Sequence, residues 1–242
     1  MGDLCSLLTW DSEHWGFPVA RINENKLTEV AARESARWCE ERKVKCLYFA
    51  ADGTCARTIK EAWRNGFYFV DVRVDMEKCF SGPILDLAGD FRCRVAVPED
   101  LPAIVWLART AHENTRFFKD ANFNRTRAED LYASWIARDF REHKVFVAVS
   151  PDDSKRLVGY ASASATDGHV GRIGLVAVSP EARGVGLGQL LVECASAWCR
   201  SCGATSVKVA TQGTNVSALR LYETGGFKVA DVKVWFHRWF KH

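Results

Sequence analysis

The sequence lacks any apolar run of the roughly 18 residues that a membrane-spanning helix needs, and it has little excess of either charge. Lys and Arg total 33 against 30 Asp and Glu, so the formal net charge of the 242 residues is only +3. So small an excess does not indicate nucleic-acid binding, although it suits a phosphate-bearing small molecule. The N-terminus has an acidic residue, Asp3, where a signal peptide would have basic ones. We therefore expect a cytoplasmic protein with no nucleic-acid partner and no membrane partner.

Paired metal-ligating cysteines are also missing. The nine cysteines are scattered and odd in number, which argues against a disulfide framework and suits a reducing compartment. Cys199 and Cys202 form a C-x-x-C pair, but a structural zinc site needs a second pair, and the sequence contains none at suitable spacing. We expect buried, reduced cysteines and no bound metal.

The sequence contains one segment twice, at an offset of 160 residues. Between positions 38 and 74, ten of the 37 aligned residues are identical, among them Gly66-Phe67 and Gly226-Phe227. Such self-similarity indicates an internal duplication. Hydrophobic periodicity predicts the same order of elements in both copies. We expect helices at about 28–42, 55–65, 188–202 and 215–224, and strands at about 46–51, 67–75, 206–211 and 227–236.

A turn-rich stretch at 79–90 interrupts the pattern, and we place a domain boundary there. The predicted domains are residues 1–85 and residues 91–242. The second domain is the fuller unit. Before its repeated segment we expect strands at 91–97, 145–150, 157–166 and 171–179, and helices at 98–112 and 126–142. The expected fold class is α/β, a mixed sheet with helices on both faces.

A glycine-rich segment, Arg183–Gly188, follows the predicted strand 173–178 and opens a helix. Such a turn can present several backbone N–H groups to a phosphate. Its spacing matches neither the dinucleotide-binding fingerprint nor the P-loop; it reads Arg-x-x-Gly-x-Gly. The first copy has no glycine at the matching positions 23–28, so we interpret these glycines as functional. A purely structural turn is the alternative.

This loop resembles the pyrophosphate loop of the GCN5-related N-acetyltransferases (GNAT), and residues 215–227 resemble the second signature of that superfamily. The resemblance implies a GNAT fold preceded by a half-GNAT-like N-terminal domain, with acetyl-CoA as co-substrate and no metal. It also implies which residues bind the coenzyme: Leu175, Val176, Ala177, Val178, Arg183, Gly184, Val185, Gly186, Leu187, Gly188, Asn215 and Ala218. The first copy, without the loop, is expected to bind no second coenzyme.

Asn215, Ala218 and Tyr222 are spaced by three and four residues and so lie on one face of the predicted helix. Such a face can lie along a flat pantetheine arm. A phenol with a pKa of about 10, against about 8.5 for a thiol, is protonated at neutral pH and can donate to the coenzyme sulfur. In the superfamily a tyrosine at this place is the usual general acid, so the resemblance implies that role for Tyr222. A core aromatic is the alternative.

The group that takes the proton from the amine is not identified by the sequence. Glu113, His112, His169, Tyr160 and a chain of water molecules all stay open. Since no Cys–His pairing is visible, we expect direct attack of the amine rather than a covalent cysteine intermediate.

The segments 8–22 and 114–123 resemble dTDP-fucosamine acetyltransferases, GNAT enzymes with an extra N-terminal half-domain. This resemblance spans nearly the whole chain, although its specific motifs lie mainly in the second half. It implies an acceptor of the dTDP-4-amino-4,6-dideoxyhexose type, used for surface polysaccharide. The residues expected to bind this acceptor are Arg116, Phe117, Lys119 and Tyr160. Cations suit a diphosphate and aromatic rings offer stacking surface, whereas a solvated basic loop is the alternative.

Two other functions stay open. One is N-acetylation of another small amine, such as an antibiotic, a polyamine or an amino acid, and the other is a non-catalytic acyl-CoA-binding regulator. The first copy is expected either to pack against the catalytic domain or to build a homodimer.

Overall fold

A computed structural model describes residues 3–81, 93–150, 153, 156–165 and 169–241. The strands are β1 (Cys5–Leu7), β2 (Val19–Ile22), β3 (Cys46–Asp52), β4 (Tyr68–Cys79), β5 (Cys93–Val95), β6 (Lys144–Val149), β7 (Leu157–Ser164), β8 (Val170–Val178), β9 (Ser206–Gln212) and β10 (Lys228–Trp239). The α-helices are α1 (Thr9–Trp15), α2 (Glu29–Glu41), α3 (Ala56–Arg64), α4 (Leu101–Ala111), α5 (Arg116–Lys119), α6 (Arg125–Glu142), α7 (Leu187–Ser201) and α8 (Val216–Thr224). Short 3-10 turns at Pro98–Asp100 and Pro180–Ala182 precede α4 and the loop before α7.

The mixed α/β architecture is confirmed. The described strands form one sheet in the order β1-β2-β3-β10-β4-β9-β8-β7-β6-β5. Every helix and strand predicted for the two copies forms, although the last strand of each copy runs longer than expected. The sequence patterns missed the short elements β1, α1, β2 and α5. The predicted boundary falls mostly on residues 82–92, outside the described residues, and the division into two domains stays a prediction.

The last strand of each copy pairs only with strands of the other copy. β4 lies between β10 and β9, and β10 lies between β3 and β4. In the antiparallel β4–β10 pair, Arg73 is opposite Lys233, and these two positions are equivalent at the 160-residue offset. The sheet therefore has an approximate twofold axis at this pair. Matching hydrogen bonds follow it: Gly53 N–H donates to the Val232 carbonyl at 3.3 Å, and Gly213 N–H donates to the Val72 carbonyl at 2.8 Å.

The two faces of the sheet carry different helices. Val72 and Val74 pack with α7 and α8, while Val234 packs with α2 and α3. Because Val72 is directly opposite Val234 in the β4–β10 pair, these four helices share one face. Helices α1, α4, α5 and α6 pack in a separate cluster that includes Tyr48 and Tyr160. The second face therefore combines elements from both halves of the chain.

The loop after α5 is tied to β4 and β10 through Asp120. Its carboxylate accepts hydrogen bonds from His237 Nδ1 at 2.6 Å, Tyr68 Oη at 2.8 Å and Trp239 Nε1 at 3.0 Å. Burial alone would raise the pKa of Asp120, but the hydrogen bonds from His237, Trp239 and Asn122 outweigh it and hold this pKa well below its usual range. Burial lowers the pKa of His237 to about 4, so its imidazole is neutral at neutral pH.

The cysteines are free thiols, but the expectation that they are buried holds for only some of them. Cys5, Cys39, Cys46 and Cys199 are buried, whereas Cys79 and Cys202 are exposed. None of the described helices is both long and apolar enough to cross a bilayer. Within the same part of the chain, no group of three or more His, Cys, Asp or Glu side chains is arranged to hold a metal ion.

A chain that consists of residues 93–242 alone should not fold, because β10 would lose both of its neighbours and β9 would lose β4. The resulting unpaired edges are a template for aggregation. Far-UV circular dichroism and size-exclusion chromatography against the full chain check this expectation. As a control, co-expression with residues 1–81 should restore a soluble folded complex. A monomeric, cooperatively folding 93–242 fragment would show that the pairing of β4 and β10 with strands of the other half is dispensable.

Candidate active site

A gap opens in the sheet between β8 and β9. The two strands pair in parallel only from Val170 to Ile173, opposite Ser206 to Val209. Both strands continue beyond that point, β8 to Val178 and β9 to Gln212, without pairing with each other. Unpaired backbone N–H and C=O groups in the middle of a sheet need another partner. The gap is therefore a place where an extended ligand can bind between two strands.

A bulge in β8 marks the bottom of the gap. Against β7, Val176 is opposite Ala161 and Ile173 is opposite Ala163, so Gly174 and Leu175 together face a single residue, Ser162. Such a two-against-one arrangement bends the strand and re-aims its backbone groups. The pairing of β8 with β9 ends at Ile173, directly before this bulge.

Two buried side chains hold the bulge. Ser162 Oγ donates to Asp139 Oδ2 at 2.7 Å and accepts the Leu175 N–H at 3.0 Å. A Cβ added at Gly174 would lie 2.5 Å from Ser162 Oγ and 3.1 Å from Asp139 Oδ2. Only glycine fits this position while the hydrogen bonds of Ser162 stay in place.

The backbone of β8 beyond the bulge faces the gap at alternate residues. Leu175 N–H bonds to Ser162, and Ser179 N–H bonds to the Val158 carbonyl at 2.8 Å, so both point towards β7. Because these directions alternate along a strand, the backbone groups of Val176 and Val178 point into the gap. The side chains of Leu175 and Ala177 are buried on the sheet face that is covered by α4 and α6. Of the four strand residues predicted to bind the coenzyme, 175–178, only Val176 and Val178 therefore direct backbone groups to the gap.

The predicted glycine loop leads into α7 beside this gap. Gly184 and Gly186 have φ angles of 83° and 87°, a left-handed conformation that favours glycine. No backbone N–H from Gly184 to Gln189 donates to a residue that the structure describes. Arg183 Nε donates to the Val178 carbonyl at 3.1 Å and anchors the loop to β8. Free N–H groups at the positive end of a 15-residue helix suit a phosphate.

The predicted residues of α8, the helix that follows β9, are placed differently from one another. Asn215 caps the helix, its Oδ1 accepting the Ala218 N–H at 3.2 Å, and it also lines the cavity described below. Ala218 packs half-buried against the α7 cluster. Tyr222 is 5% exposed, its ring centroid 5.7 Å from that of Phe227, and it does not line that cavity. Burial raises the pKa of Tyr222 well above its usual value, so its hydroxyl stays protonated at neutral pH.

In the first copy the matching gap is closed by the chain itself. The Asn25 carbonyl accepts the Asp52 N–H at 2.8 Å, and Leu27 N–H donates to Thr58 Oγ1 at 3.2 Å. Positions 52 and 58 correspond to 212 and 218 of the second copy. Thr28 caps α2 by accepting the Ala31 N–H at 3.2 Å, where the second copy leaves its N–H groups free. The first copy therefore offers no equivalent site.

The gap continues into a cavity of about 800 Å³ on the face covered by α5 and α6. Most of its charged side chains pair with one another. These pairs, with their closest N–O distances, are Arg73–Asp75 (2.7 Å), Lys233–Asp231 (3.2 Å), Lys208–Glu77 (3.5 Å) and Arg138–Asp139 (3.6 Å). Among the described residues, Arg116 and Arg172 are lining cations without a carboxylate within salt-bridge distance. These two arginines are available to an anionic ligand.

Arg116 is held in place by aromatic rings. Its guanidinium carbon lies 3.9 Å from the centroid of the Trp235 ring and 4.4 Å from that of the Tyr48 ring. Its Nη1 is buried and has no hydrogen-bond partner within the described part of the chain. A buried, unpaired N–H of a cation is costly unless a ligand or water satisfies it. Arg116 is thus a fixed cation in the cavity lining, with a hydrogen-bond donor that the described residues leave unused.

The other three predicted acceptor residues are placed differently. Phe117 lines the cavity as a buried ring. Lys119 Nζ donates to Asp71 Oδ1 at 2.8 Å and to Thr214 Oγ1 at 3.1 Å, which ties α5 to β4 and to the turn after β9. Tyr160 is fully buried outside the cavity lining, with its hydroxyl 2.8 Å from His112 Nε2. The cavity itself brings together only Arg116 and Phe117 from this set.

Sequence reasoning missed the floor of the cavity. It is formed by Asp71 and Arg73 of β4 and by Lys233 and Trp235 of β10, with Trp135 of α6 in the wall. A signal was present, since both strands alternate polar with apolar residues and Asp71 recurs as Asp231 in the second copy. Only the pairing of β4 with β10 in the structure shows that the polar faces of these two strands lie side by side.

Comparisons with known proteins agree with this geometry. Residues 105–227 match the model of the acetyltransferase (GNAT) family. The chain is 30% identical to dTDP-fucosamine acetyltransferase of Escherichia coli O6:H1, over 72% of each chain. It is 31% identical to mycothiol acetyltransferase of Thermobispora bispora over 48% of each chain, and so spans about half of that relative.

A solved structure of a GCN5-related N-acetyltransferase from Sphaerobacter thermophilus superposes with a TM-score of 0.69. The superposition covers 97% of this chain and 76% of that one at 17% identity. At this identity the likeness concerns the fold alone. It extends over the first copy as well as the second.

Replacing Gly174 by Ala should destabilise the chain by about 1–3 kcal/mol, because the new methyl group would overlap Ser162 Oγ. Urea unfolding followed by tryptophan fluorescence measures the change in the free energy of unfolding. The matched background is Ser162→Ala, in which the clash is relieved and the additional cost of Gly174→Ala should shrink. An equal cost of Gly174→Ala in both backgrounds would contradict this account of the bulge.

Proposed function

The chain belongs to the GNAT acetyltransferase family, and from that premise we propose that it acetylates the amino group of a nucleotide-linked amino sugar. The expected acceptor is of the dTDP-4-amino-4,6-dideoxyhexose type, and the acetyl donor is acetyl-CoA. The observation that carries this proposal is Arg116, a cation that stacks on Trp235, lines a cavity continuous with the gap and has no carboxylate within salt-bridge distance among the described residues. Such a cation suits the diphosphate of a nucleotide sugar. A cytoplasmic location and a homodimer stay predictions.

Two kinds of relative bear on the acceptor. The match to dTDP-fucosamine acetyltransferase covers 72% of the chain, whereas the match to mycothiol acetyltransferase covers 48%. The floor of the cavity includes residues of the first half, such as Asp71 and Arg73. The longer match therefore favours a sugar nucleotide. Acetylation of another small amine is the second candidate, and the mycothiol relatives support it.

The residues of the gap fit the coenzyme. When bound, acetyl-CoA supplies the acetyl thioester. The free N–H groups from Gly184 to Gln189 bind its pyrophosphate. The backbone groups of Val176 and the N–H of Val178 hold the pantetheine as a neighbouring strand would, while the Val178 carbonyl is bonded to Arg183. The Asn215 side of α8 closes the gap from the other direction.

Tyr222 acts as the general acid in this proposal. Its hydroxyl is protonated at neutral pH because burial raises its pKa, and it gives that proton to the sulfur that leaves the acetyl carbon. No covalent intermediate is required, since the amine attacks directly. If the chain were a non-catalytic acyl-CoA-binding regulator, this hydroxyl would have no role.

A thiol-release assay tests the reaction and its acceptor. The panel sets dTDP-4-amino-4,6-dideoxyhexoses against UDP-4-amino sugars, aminoglycosides, polyamines and amino acids. We expect turnover with the dTDP sugars, and a loss of kcat of at least about 100-fold in Tyr222→Phe. Calorimetry should count one coenzyme A site per chain in both proteins, because the first copy is closed. Turnover on another class only would refute the sugar-nucleotide acceptor, and wild-type kcat in Tyr222→Phe would refute the general acid.

Replacing Arg116 by Gln should raise KM for the nucleotide sugar by about 10-fold or more, because a charge-assisted hydrogen bond to the diphosphate is lost. The KM for acetyl-CoA should stay at the wild-type value. The matched control is Arg125→Gln, since the Arg125 side chain is 71% exposed and pairs only loosely with Glu113 and Glu129. Steady-state kinetics separates the effects. An equal response of KM in the two variants would exclude a specific role for Arg116.

A further inference from the structure

One titratable side chain beside the gap is not used by the proposed chemistry. His112 follows the last residue of α4 and lines the cavity. Its Nε2 lies 2.8 Å from the Tyr160 hydroxyl, and its ring stacks on that of Tyr132, with centroids 4.7 Å apart and planes at 24°. The imidazole is therefore held on two sides, by β7 and by α6.

The strand register places His112 at the open end of the gap. Tyr160, its hydrogen-bond partner, is directly opposite Ala177 of β8, in the stretch whose other edge has no strand partner. The cavity lining also contains His143, which directly precedes β6. Lys144 of β6 is opposite Ala163 of β7, and Ala163 is opposite Ile173 of β8, so His143 lies near the level of Ile173. At Ile173, β8 still pairs with β9. Of these two histidines, His112 is the one at the level where a thioester can lie between the strands.

The geometry points to His112 as the catalytic residue that accepts the proton lost by the amine, with Tyr160 as its positioning residue. This assignment rests on the proposed acetyl transfer. This role requires the tautomer in which Nε2–H donates to the Tyr160 oxygen and Nδ1 carries the lone pair, on a residue that lines the cavity. The amine nitrogen forms a bond to the acetyl carbon, and the C–S bond breaks with its electron pair on sulfur. The nitrogen proton goes to His112 Nδ1 and sulfur takes the proton of Tyr222, which leaves an imidazolium and a phenolate. The imidazolium then releases its proton to solvent and the phenolate takes one up from solvent, so the net change over the cycle is one proton moved from nitrogen to sulfur.

The surroundings keep this imidazole neutral. Burial lowers the pKa of His112 to about 4, so its lone pair is available throughout the neutral range. The nitrogen becomes far more acidic as it bonds to the acetyl carbon, and a weak base then suffices. The ionisable groups in contact with His112 are Tyr160 of β7 and Tyr132 of α6. The charged groups that share the cavity lining with it include Asp139 of α6, Arg116 of α5 and Asp71 of β4.

The other side chains considered from sequence are poorer candidates. Glu113 is exposed and pairs with Arg125, and His169 is exposed at the start of β8, far from the gap. Neither lines the cavity. Tyr160 is fully buried, and burial raises the pKa of its hydroxyl well above the usual value, so it cannot act as a base near neutral pH.

The test is chemical rescue of His112→Ala by imidazole. The variant should lose kcat by about 100-fold, as for removal of a general base, with little change in KM for acetyl-CoA. Added imidazole should restore part of the rate, in proportion to its neutral fraction as the pH is varied. His112→Gln, which preserves size, should lose kcat without rescue, and Tyr160→Phe should lose about 10-fold. The control His169→Gln should behave as wild type.

Two outcomes would overturn the assignment. One is a kcat of His112→Gln within about threefold of wild type. The other is a loss of activity in His112→Ala that imidazole does not restore at any pH, in a protein that still binds coenzyme A. Failure of the proposed acceptor is distinguished from failure of the His112 assignment. If the wild type acetylates a different amine, the same variants are compared on that amine. If it acetylates none, slow hydrolysis of acetyl-CoA by water, which also needs a proton acceptor, is the readout.

Discussion

The antiparallel pairing of β4 with β10 is the constraint on which the rest of the structure depends. Each of these strands has both neighbours in the other half of the chain, so neither half can complete its own sheet. The pairing also separates two environments: Val72 and Val74 face the helices of the hydrophobic core, while Asp71, Arg73 and the partner residue Trp235 face the cavity. Because side chains alternate along a strand, a one-residue slip would exchange these two faces. The cavity therefore exists only when the two halves fold together.

The two copies show how one framework supports an open and a closed version of the same gap. In the first copy, Thr28 caps its helix, and Asn25 and Leu27 bond to the neighbouring elements, so backbone groups are satisfied within the chain. In the second copy, glycines replace these contacts and leave a row of N–H groups free. Free backbone groups cost stability unless a ligand pairs with them. The second copy, most of which lies within the part of the chain that matches the acetyltransferase family, has these free groups and the loss of stability that they cause. The first copy has neither.

Polar contacts join α5 and the loop after it to β4 and β10, and they position the residues proposed to bind the acceptor. Asp120 binds side chains of β4 and β10, and Lys119 binds Asp71 and Thr214. These contacts fix the short helix that presents Arg116 to Trp235. A charged group held in this way needs less ordering when a substrate arrives, which is the general advantage of preorganisation. The same loop reads in sequence as a simple basic stretch.

The sequence by itself determined the features that depend on local periodicity and local conformation. The helix and strand order of both copies, the duplication and the glycine loop all follow from residues close together in the chain, and the structure contains each of them. Only the tertiary structure decided which cations are available. Arg116 and Lys119 are three residues apart, yet Asp71 pairs with Lys119, and Arg116 has no carboxylate partner within the part of the chain that the structure describes. It also decided that β4 lies between β9 and β10, that Tyr160 is buried against His112, and that only some cysteines are buried. The physical reason is that strand partners, ion pairs and burial are set by residues distant in sequence, and no local pattern records which distant surface a side chain will meet.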